Sequence, residues 1–125
     1  MIQGQGNKQV KYLIILNDPP YGTERSYNGL RLAISLAGKP DSEVRIFLVG
    51  DAVGCGKAGQ KTPQGYYNLE RMLRSLANAR VSIGVCGSCL DARGITDSEM
   101  MQGVHRSSME ELADWTIWAD KGMAF

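Results

Sequence analysis

The chain has 125 residues, of which 43% are hydrophobic and 22% are charged, a composition typical of one soluble globular domain. Fourteen Lys and Arg residues against thirteen Asp and Glu residues leave a net charge of +1, so we expect no polyanionic partner and no direct binding to nucleic acid. No apolar run approaches the roughly 20 residues that cross a bilayer, and the polar start lacks the apolar stretch of a secretory signal, so we expect a cytoplasmic protein without membrane attachment.

The chain is organised as one domain. We predict a flexible N-terminal tail over residues 1–10 and a single domain over residues 11–125, because no repeat, low-complexity tract or linker divides the sequence. Apolar runs and helical periodicity predict, in order, a strand over 12–16, a helix over 27–37, a strand over 44–49, a helix over 69–77 and a strand over 81–85.

The C-terminal third is predicted from shorter signals. They indicate a capping box and short helix at 96–99, a strand over 103–106, a helix over 109–117 and a terminal strand over 122–125. Strands that alternate with helices imply βαβ units. We therefore predict an α/β fold with a mostly parallel sheet of about five strands and helices on both faces.

The most informative motif is Cys86-Gly-Ser-Cys89, which directly follows the predicted strand over 81–85. A cysteine at the end of a parallel strand lies at the edge of the sheet where open α/β folds build their sites. If the residues after Cys89 begin a helix, the positive end of the helix dipole favours thiolate over thiol, and Arg93 adds a cationic neighbour. The motif therefore indicates thiol chemistry.

Several chemistries use a pair of cysteines at this spacing. A zinc site needs three or four protein ligands, and only Cys55 and His105 are available to join the pair, so we expect no metal. A thioredoxin-type motif follows the first strand and precedes a long helix, whereas this motif follows a third strand and Gly94 ends any helix early. Dithiol redox chemistry, sulfur relay through a persulfide, and two inert buried thiols stay open as alternatives.

The glycine-rich segment 54–59 matches the pattern GxGxxG but follows the second strand and lacks the acidic residue of a dinucleotide site. We therefore predict a flexible loop and no cofactor. Cys55 in this segment is expected at the same sheet edge as Cys86, because both follow strands.

Charged and polar residues are expected to support the cysteines. Asn17 and Asp18 end the first strand and are expected to face Cys86, where a carboxylate can exchange a proton with a thiol; a turn or capping role is the alternative. Asp91 and Arg93 are expected to form a local ion pair, with a solvated pair of little energetic consequence as the alternative.

Six segments spread between Lys11 and Lys121 carry a shared sequence pattern: residues 16–22, 50–53, 59–63, 65–68, 86–95 and 111–116. In these segments the chain resembles the DsrE/DsrF-like family, most closely its YchN-like subgroup. The resemblance implies a three-layer α/β/α fold and cyclic homo-oligomers, trimers or hexamers, with cysteines near subunit contacts.

Trp115 and Trp118 on the predicted last helix are expected in the core or in a subunit interface. Residues 122–124 depart from the branched apolar run usual in the family, so we expect a frayed or weakly paired last strand.

The same resemblance implies a function. Family members with an assigned role act in sulfur relay, in which a cysteine at the end of the third strand accepts sulfane sulfur as a persulfide; Cys86 falls on that position, and Cys89 is shared with the YchN-like subgroup. We therefore expect a sulfurtransferase-type carrier that acts with sulfur donor and acceptor proteins. The alternatives are a dithiol–disulfide redox protein or sensor, and an oligomeric structural module with inert cysteines. The expected site comprises Cys86 and Cys89, supported by Asn17, Asp18, Cys55, Asp91 and Arg93.

Overall fold

The computed structural model describes residues 9–125. Its strands are β1 (Val10–Leu16), β2 (Ser42–Leu48), β3 (Ser82–Cys86), β4 (Val104–Ser107) and β5 (Lys121–Ala124), and its helices are α1 (Arg25–Ala37), α2 (Leu69–Asn78), α3 (Gly87–Ala92) and α4 (Met109–Trp118). Two 3-10 segments, Gly50–Gly56 and Asp97–Glu99, lie between them. The strands form one sheet in the order β4-β3-β2-β1-β5, and every neighbouring pair is parallel. The predicted α/β fold with a parallel sheet is confirmed.

The two central strands are buried on both faces. Seven residues of β1 pair with seven of β2, from Val10↔Ser42 to Leu16↔Leu48. Adjacent side chains of a strand point to opposite faces, and both Leu13 and Ile14 are buried, so each face of the sheet is covered. The predicted tail over 1–10 lies largely outside the described residues, but Val10 already belongs to β1.

The helices occupy both faces, which gives three layers. On one face, α1 approaches β1 closely at Gly29, where an added Cβ would lie 2.5 Å from a methyl group of Leu16. On the other face, Trp115 of α4 packs edge-on against Phe47 of β2, with ring centroids 6.2 Å apart. Leu16 pairs with Leu48, the neighbour of Phe47 in β2, so α1 and α4 lie on opposite faces.

The last strand is paired rather than frayed, so the expectation of weak pairing is wrong. Four residues of β5 pair with β1, from Tyr12↔Lys121 to Ile15↔Ala124. Beyond them, the Phe125 N–H donates to the Ile15 carbonyl at 2.8 Å. The backbone ladder does not depend on branched side chains, and the Phe125 ring packs against the core beside Gly29, which anchors the end of the strand.

The glycine-rich segment after β2 is also more ordered than predicted. Gly50–Gly56 forms a 3-10 helix in which Ala52, Val53 and Cys55 are fully buried. The Gln60 side-chain amide donates to the carbonyl of Cys55 at 2.8 Å and so ties the following loop to this helix. The flexible loop predicted over 54–59 is therefore wrong for residues 54–56, because they belong to this helix and Cys55 joins the core.

Within residues 9–125, the helices are all too short or too polar to cross a membrane.

Candidate functional site

Cys86 ends β3 and caps α3. Its sulfur accepts a hydrogen bond from the backbone N–H of Cys89, with 3.3 Å between N and Sγ. The Ser88 hydroxyl oxygen lies 3.3 Å from the same sulfur. α3 ends after Ala92, and Gly94 turns the chain with a φ of +65°. The helix considered after Cys89 begins earlier, at Gly87 inside the cysteine motif, and its first turn places the Cys89 N–H and the Ser88 hydroxyl at one sulfur atom.

The two thiols differ in their exposure to solvent. Cys86 is buried, with 6% of its surface exposed, whereas Cys89 is half-buried and Ser88 is exposed. The Cys86 sulfur is therefore the less accessible of the two thiols.

The surroundings also drive the two pKa values apart. Burial acts to raise the pKa of Cys86, but hydrogen bonds from the Cys89 thiol, the Ser88 hydroxyl and the backbone amides of both residues outweigh it, so the pKa of Cys86 is lowered. The pKa of Cys89 is raised by burial and by its hydrogen bond to Cys86. The surroundings therefore favour the thiolate form more at Cys86 than at Cys89.

The loop after β2 holds Cys89 from the other side. The Gly50 N–H donates to the Cys89 sulfur, with 3.3 Å between N and Sγ. Arg93 links the same two segments, because its guanidinium donates to the Asp51 carboxylate at 2.8 Å and to the Cys89 carbonyl at 3.1 Å. The site is thus built from the carboxyl ends of β2 and β3.

The predicted ion pair between Asp91 and Arg93 is wrong, because each residue has another partner. Arg93 binds Asp51, as described above. Asp91 binds Arg106 of β4, with 2.6 Å between Nη2 and Oδ2, and Arg106 also binds Asp97 at 3.0 Å. Residues two apart at the end of a helix point in different directions, so Asp91 and Arg93 reach opposite neighbours of α3.

Asn17 and Asp18 do not face the cysteines. The Asn17 side-chain amide donates to the Phe125 carbonyl at 3.2 Å. The Asp18 carboxylate accepts from the Thr23 hydroxyl at 3.0 Å and lies 3.6 Å from the Arg25 guanidinium. The turn role, weighed above as the alternative, describes Asp18, whereas Asn17 binds the C-terminal residue beyond β5. The expectation that both residues face Cys86 is wrong.

Cys55 is separate from the cysteine pair. It is fully buried, and its thiol points to the Asp18 carbonyl at 3.8 Å. Burial raises the pKa of Cys55 to about 12. A thiol with this pKa is protonated near neutral pH. Because Cys55 is fully buried, its expected place at the open edge of the sheet beside Cys86 is wrong.

No three His, Cys, Asp or Glu side chains in the described part of the chain, residues 9–125, converge in a way that could hold a metal ion.

Four contributors to the site were not identified in the sequence: Gly50, Asp51, Ser88 and Arg106. Ser88 lies inside the cysteine motif, and Gly50-Asp51 follows a predicted strand, so position alone could have indicated these three. Arg106 lies on a short edge strand with no recognisable motif, and no sequence signal points to it.

Comparisons with known proteins agree with this architecture. The profile of the DsrE/DsrF-like family matches residues 10–125. Protein YchN of Escherichia coli is 41% identical over 116 residues, which cover 92% of this chain and 98% of YchN. The YchN crystal structure superposes with a TM-score of 0.88, covering 94% of this chain and all of that one. An uncharacterized protein of Methanopyrus kandleri is 32% identical over 90% of this chain and 91% of its own length.

Proposed function

We propose that this protein is a cytoplasmic sulfur carrier that holds sulfane sulfur as a persulfide on Cys86. The chain belongs to the DsrE/DsrF-like family, and that family is associated with sulfur relay. The observation that carries the proposal is the pair of donors at the Cys86 sulfur, the Cys89 N–H and the Ser88 hydroxyl, each at 3.3 Å. They stabilise the thiolate, which is the form of cysteine that attacks sulfur.

Loading is a thiol exchange in which the donor is a protein persulfide. The Cys86 thiolate attacks the outer sulfur of the donor, the Cys86 S–S bond forms, and the donor's own S–S bond breaks. The donor departs as a thiolate, and the outer sulfur keeps its proton. Unloading is the reverse step, in which an acceptor thiolate attacks the outer sulfur and Cys86 leaves as a thiolate. The lowered pKa of Cys86 favours this second step, because a thiol of low pKa is the better leaving group.

Cys89 determines whether the loaded sulfur persists. Attack of the Cys89 thiolate on the inner sulfur of the persulfide forms a Cys86–Cys89 disulfide and releases hydrosulfide. The raised pKa of Cys89 keeps it protonated near neutral pH and so slows this loss. In this scheme the protonated Cys89 leaves the persulfide intact. Only deprotonated Cys89 attacks it and releases the outer sulfur as hydrosulfide.

Intact mass after treatment with inorganic polysulfide tests the proposal. We expect a gain of one sulfur, about 32 Da, that is lost on reduction. Cys86→Ser should abolish the gain, whereas Cys89→Ser should retain it and lengthen its lifetime. Cys55→Ala is the matched control, because its buried thiol takes no part. Sulfur that loads equally on Cys86→Ser contradicts the assignment.

The principal alternative is a dithiol–disulfide redox protein or sensor, which the proximity of the two cysteines, joined by the hydrogen bond from the Cys89 N–H to the Cys86 sulfur, also supports. It predicts a loss of about 2 Da, without added sulfur, on exposure to a mild oxidant or to polysulfide. The burial of Cys86 favours a third candidate, a structural module with inert thiols. In that case neither thiol reacts with an alkylating reagent in the native protein.

We also propose a homo-oligomer, either a trimer or a hexamer. Met109 and Ile117 of α4 are large apolar side chains that are 64% and 84% exposed. The end of α4 and β5 also border a groove of about 400 Å³ that includes Ile15 and Met123. Trp115 belongs to the core, and Trp118 stacks on Arg45. Sedimentation of the protein and of Ile117→Asp tests the proposal: the substitution should dissociate the assembly, and a monomeric wild-type protein would contradict it.

A further inference from the structure

Arg106 contacts three parts of the site through one side chain. It lies on β4, directly beside Val85 of β3 in the sheet register. One nitrogen of its guanidinium donates to Asp91 in the last turn of α3 at 2.6 Å, and the other donates to Asp97 at 3.0 Å. The planar guanidinium can bind two carboxylates at once with fixed geometry, which the single ammonium of lysine cannot reproduce.

The same side chain packs against Gly87, inside the cysteine motif. A Cβ added at Gly87 would lie 2.7 Å from Nε, 2.9 Å from Cζ and 3.1 Å from Cγ of Arg106. Gly87 is helical and has no positive φ, so its backbone conformation suits any residue. A side chain at this position would therefore displace Arg106, and glycine lets Arg106 lie flat on the first turn of α3.

α3 depends on such external contacts. It has six residues, fewer than an isolated helix needs to be stable. A groove of about 90 Å³ between α3, β3 and β4 is lined by Leu90, Val85 and Met101 and by Arg106 itself. Two arginines hold the C-terminal end of the helix, Arg93 toward the loop after β2 and Arg106 toward β4, and the Arg106 side chain also lies against Gly87 in the first turn.

We propose that Arg106 is a positioning residue, which presses the first turn of α3 against the end of β3 and so keeps the donors of Cys89 and Ser88 on the Cys86 sulfur. Gly87 leaves the space that this arrangement needs, because any side chain at that position displaces the Arg106 guanidinium. The inference deepens the proposed sulfur carrier and rests on it for its biological meaning, but the geometry it describes is a property of the free thiol.

The test measures the alkylation rate of Cys86 against pH in the full chain, with the modified cysteine identified by tandem mass spectrometry. We expect Arg106→Ala and Gly87→Ala each to lower the thiolate fraction of Cys86 at pH 7 by about three- to tenfold, which corresponds to a pKa rise of roughly half to one unit. Arg106→Lys should restore only part of it. Arg71→Ala, which removes an exposed arginine of α2, is the matched control and should leave the profile unchanged.

Two results would overturn the inference. One is an unchanged Cys86 profile in both Arg106→Ala and Gly87→Ala. The other is a rise in Cys55 alkylation that matches the change at Cys86, because exposure of a fully buried thiol indicates general loosening rather than loss of local positioning. Failure of the wild-type protein to take up sulfur would contradict the carrier function but leave the alkylation result intact, so the two failures are distinguishable.

Discussion

The backbone N–H of Gly50 donates to the sulfur of Cys89 across the carboxyl ends of two neighbouring strands. Gly50 adopts a φ of +60°, in the left-handed region that non-glycine residues enter only with strain. In this conformation its N–H lies 3.3 Å from the sulfur, measured from N to Sγ. The loop after β2 thereby holds the second cysteine of the pair.

The first prediction concerns this glycine. Gly50→Ala should lower the free energy of unfolding by about 1–2 kcal/mol through backbone strain. It should also slow alkylation of Cys89, because the hydrogen bond from Gly50 lowers the pKa of that thiol and its loss raises the pKa further. Urea unfolding and pH-dependent alkylation measure the two effects.

Gly65→Ala is the control for backbone strain away from the site. Gly65 has a φ of +87°, and no atom would meet an added Cβ within 4 Å. The control should lose comparable stability and leave both cysteines unchanged. Equal slowing of Cys89 in the two variants would show that the hydrogen bond has no effect on that thiol.

The second prediction concerns Ser88. Ser88→Ala removes a hydroxyl that lowers the pKa of Cys86, so that pKa should rise. A single hydrogen bond contributes about 0.5–1.5 kcal/mol, which corresponds to roughly one pKa unit or less. The pH dependence of Cys86 alkylation measures the shift, and Ser88→Thr, which keeps the hydroxyl, should retain most of the wild-type profile. A lower pKa in Ser88→Ala would contradict the donor role of Ser88.

The elements of the fold were predictable where local pattern and burial agree. The apolar run at 12–16 lies in β1, which pairs with β2 and β5 and is buried on both faces, so its continuous apolar pattern matches its burial. The final strand was underestimated, because its stability comes from backbone pairing and from Phe125 rather than from its own residues 122–124. Propensity is a weak guide for a strand whose order depends on its neighbour.

The site was predictable only in part, because the sequence does not reveal strand order. In the observed order, β2 separates β1 from β3. The loop beginning at Gly50 therefore adjoins the cysteines, while Asn17 at the end of β1 lies beside β5 and binds Phe125. Arg93 and Asp51 are 42 positions apart in the chain, so their ion pair has no local signature either.

The third prediction concerns Arg93. Arg93→Gln removes a cation that lowers the pKa of Cys89 and breaks the link from α3 to Asp51. Both ends of the pair are substantially exposed, so we expect a loss of stability below about 1 kcal/mol. The pKa of Cys89 should rise, and a disulfide with Cys86 should form more slowly at neutral pH. Thiol titration during mild oxidation measures the rate of disulfide formation.

Asp51→Asn is the control, because it breaks the same ion pair but leaves the cation in place, and so separates the charge of Arg93 from its positioning. Faster disulfide formation in Arg93→Gln would contradict this account.

The fourth prediction concerns Glu70, a buried carboxylate on α2. Burial acts to raise its pKa, but hydrogen bonds from the Gln60 backbone N–H and the Arg74 guanidinium outweigh it, so the pKa of Glu70 is lowered. Because the folded pKa lies below the unfolded value of about 4.3, the stabilisation is fully present above that pH and is lost as the pH falls through the folded pKa.

Glu70→Gln should therefore be less stable than the wild-type protein at pH 7, by about 1–2 kcal/mol, the range for a hydrogen bond to a charged group. The difference should shrink as the pH falls below about 4, because the wild-type carboxylate then becomes neutral as well. Urea unfolding at a series of pH values measures both effects, with the exposed Glu24→Gln as the control. A stability difference that stays constant from pH 7 to the acid range would mean that the charge of Glu70 does not stabilise the loop around Gln60.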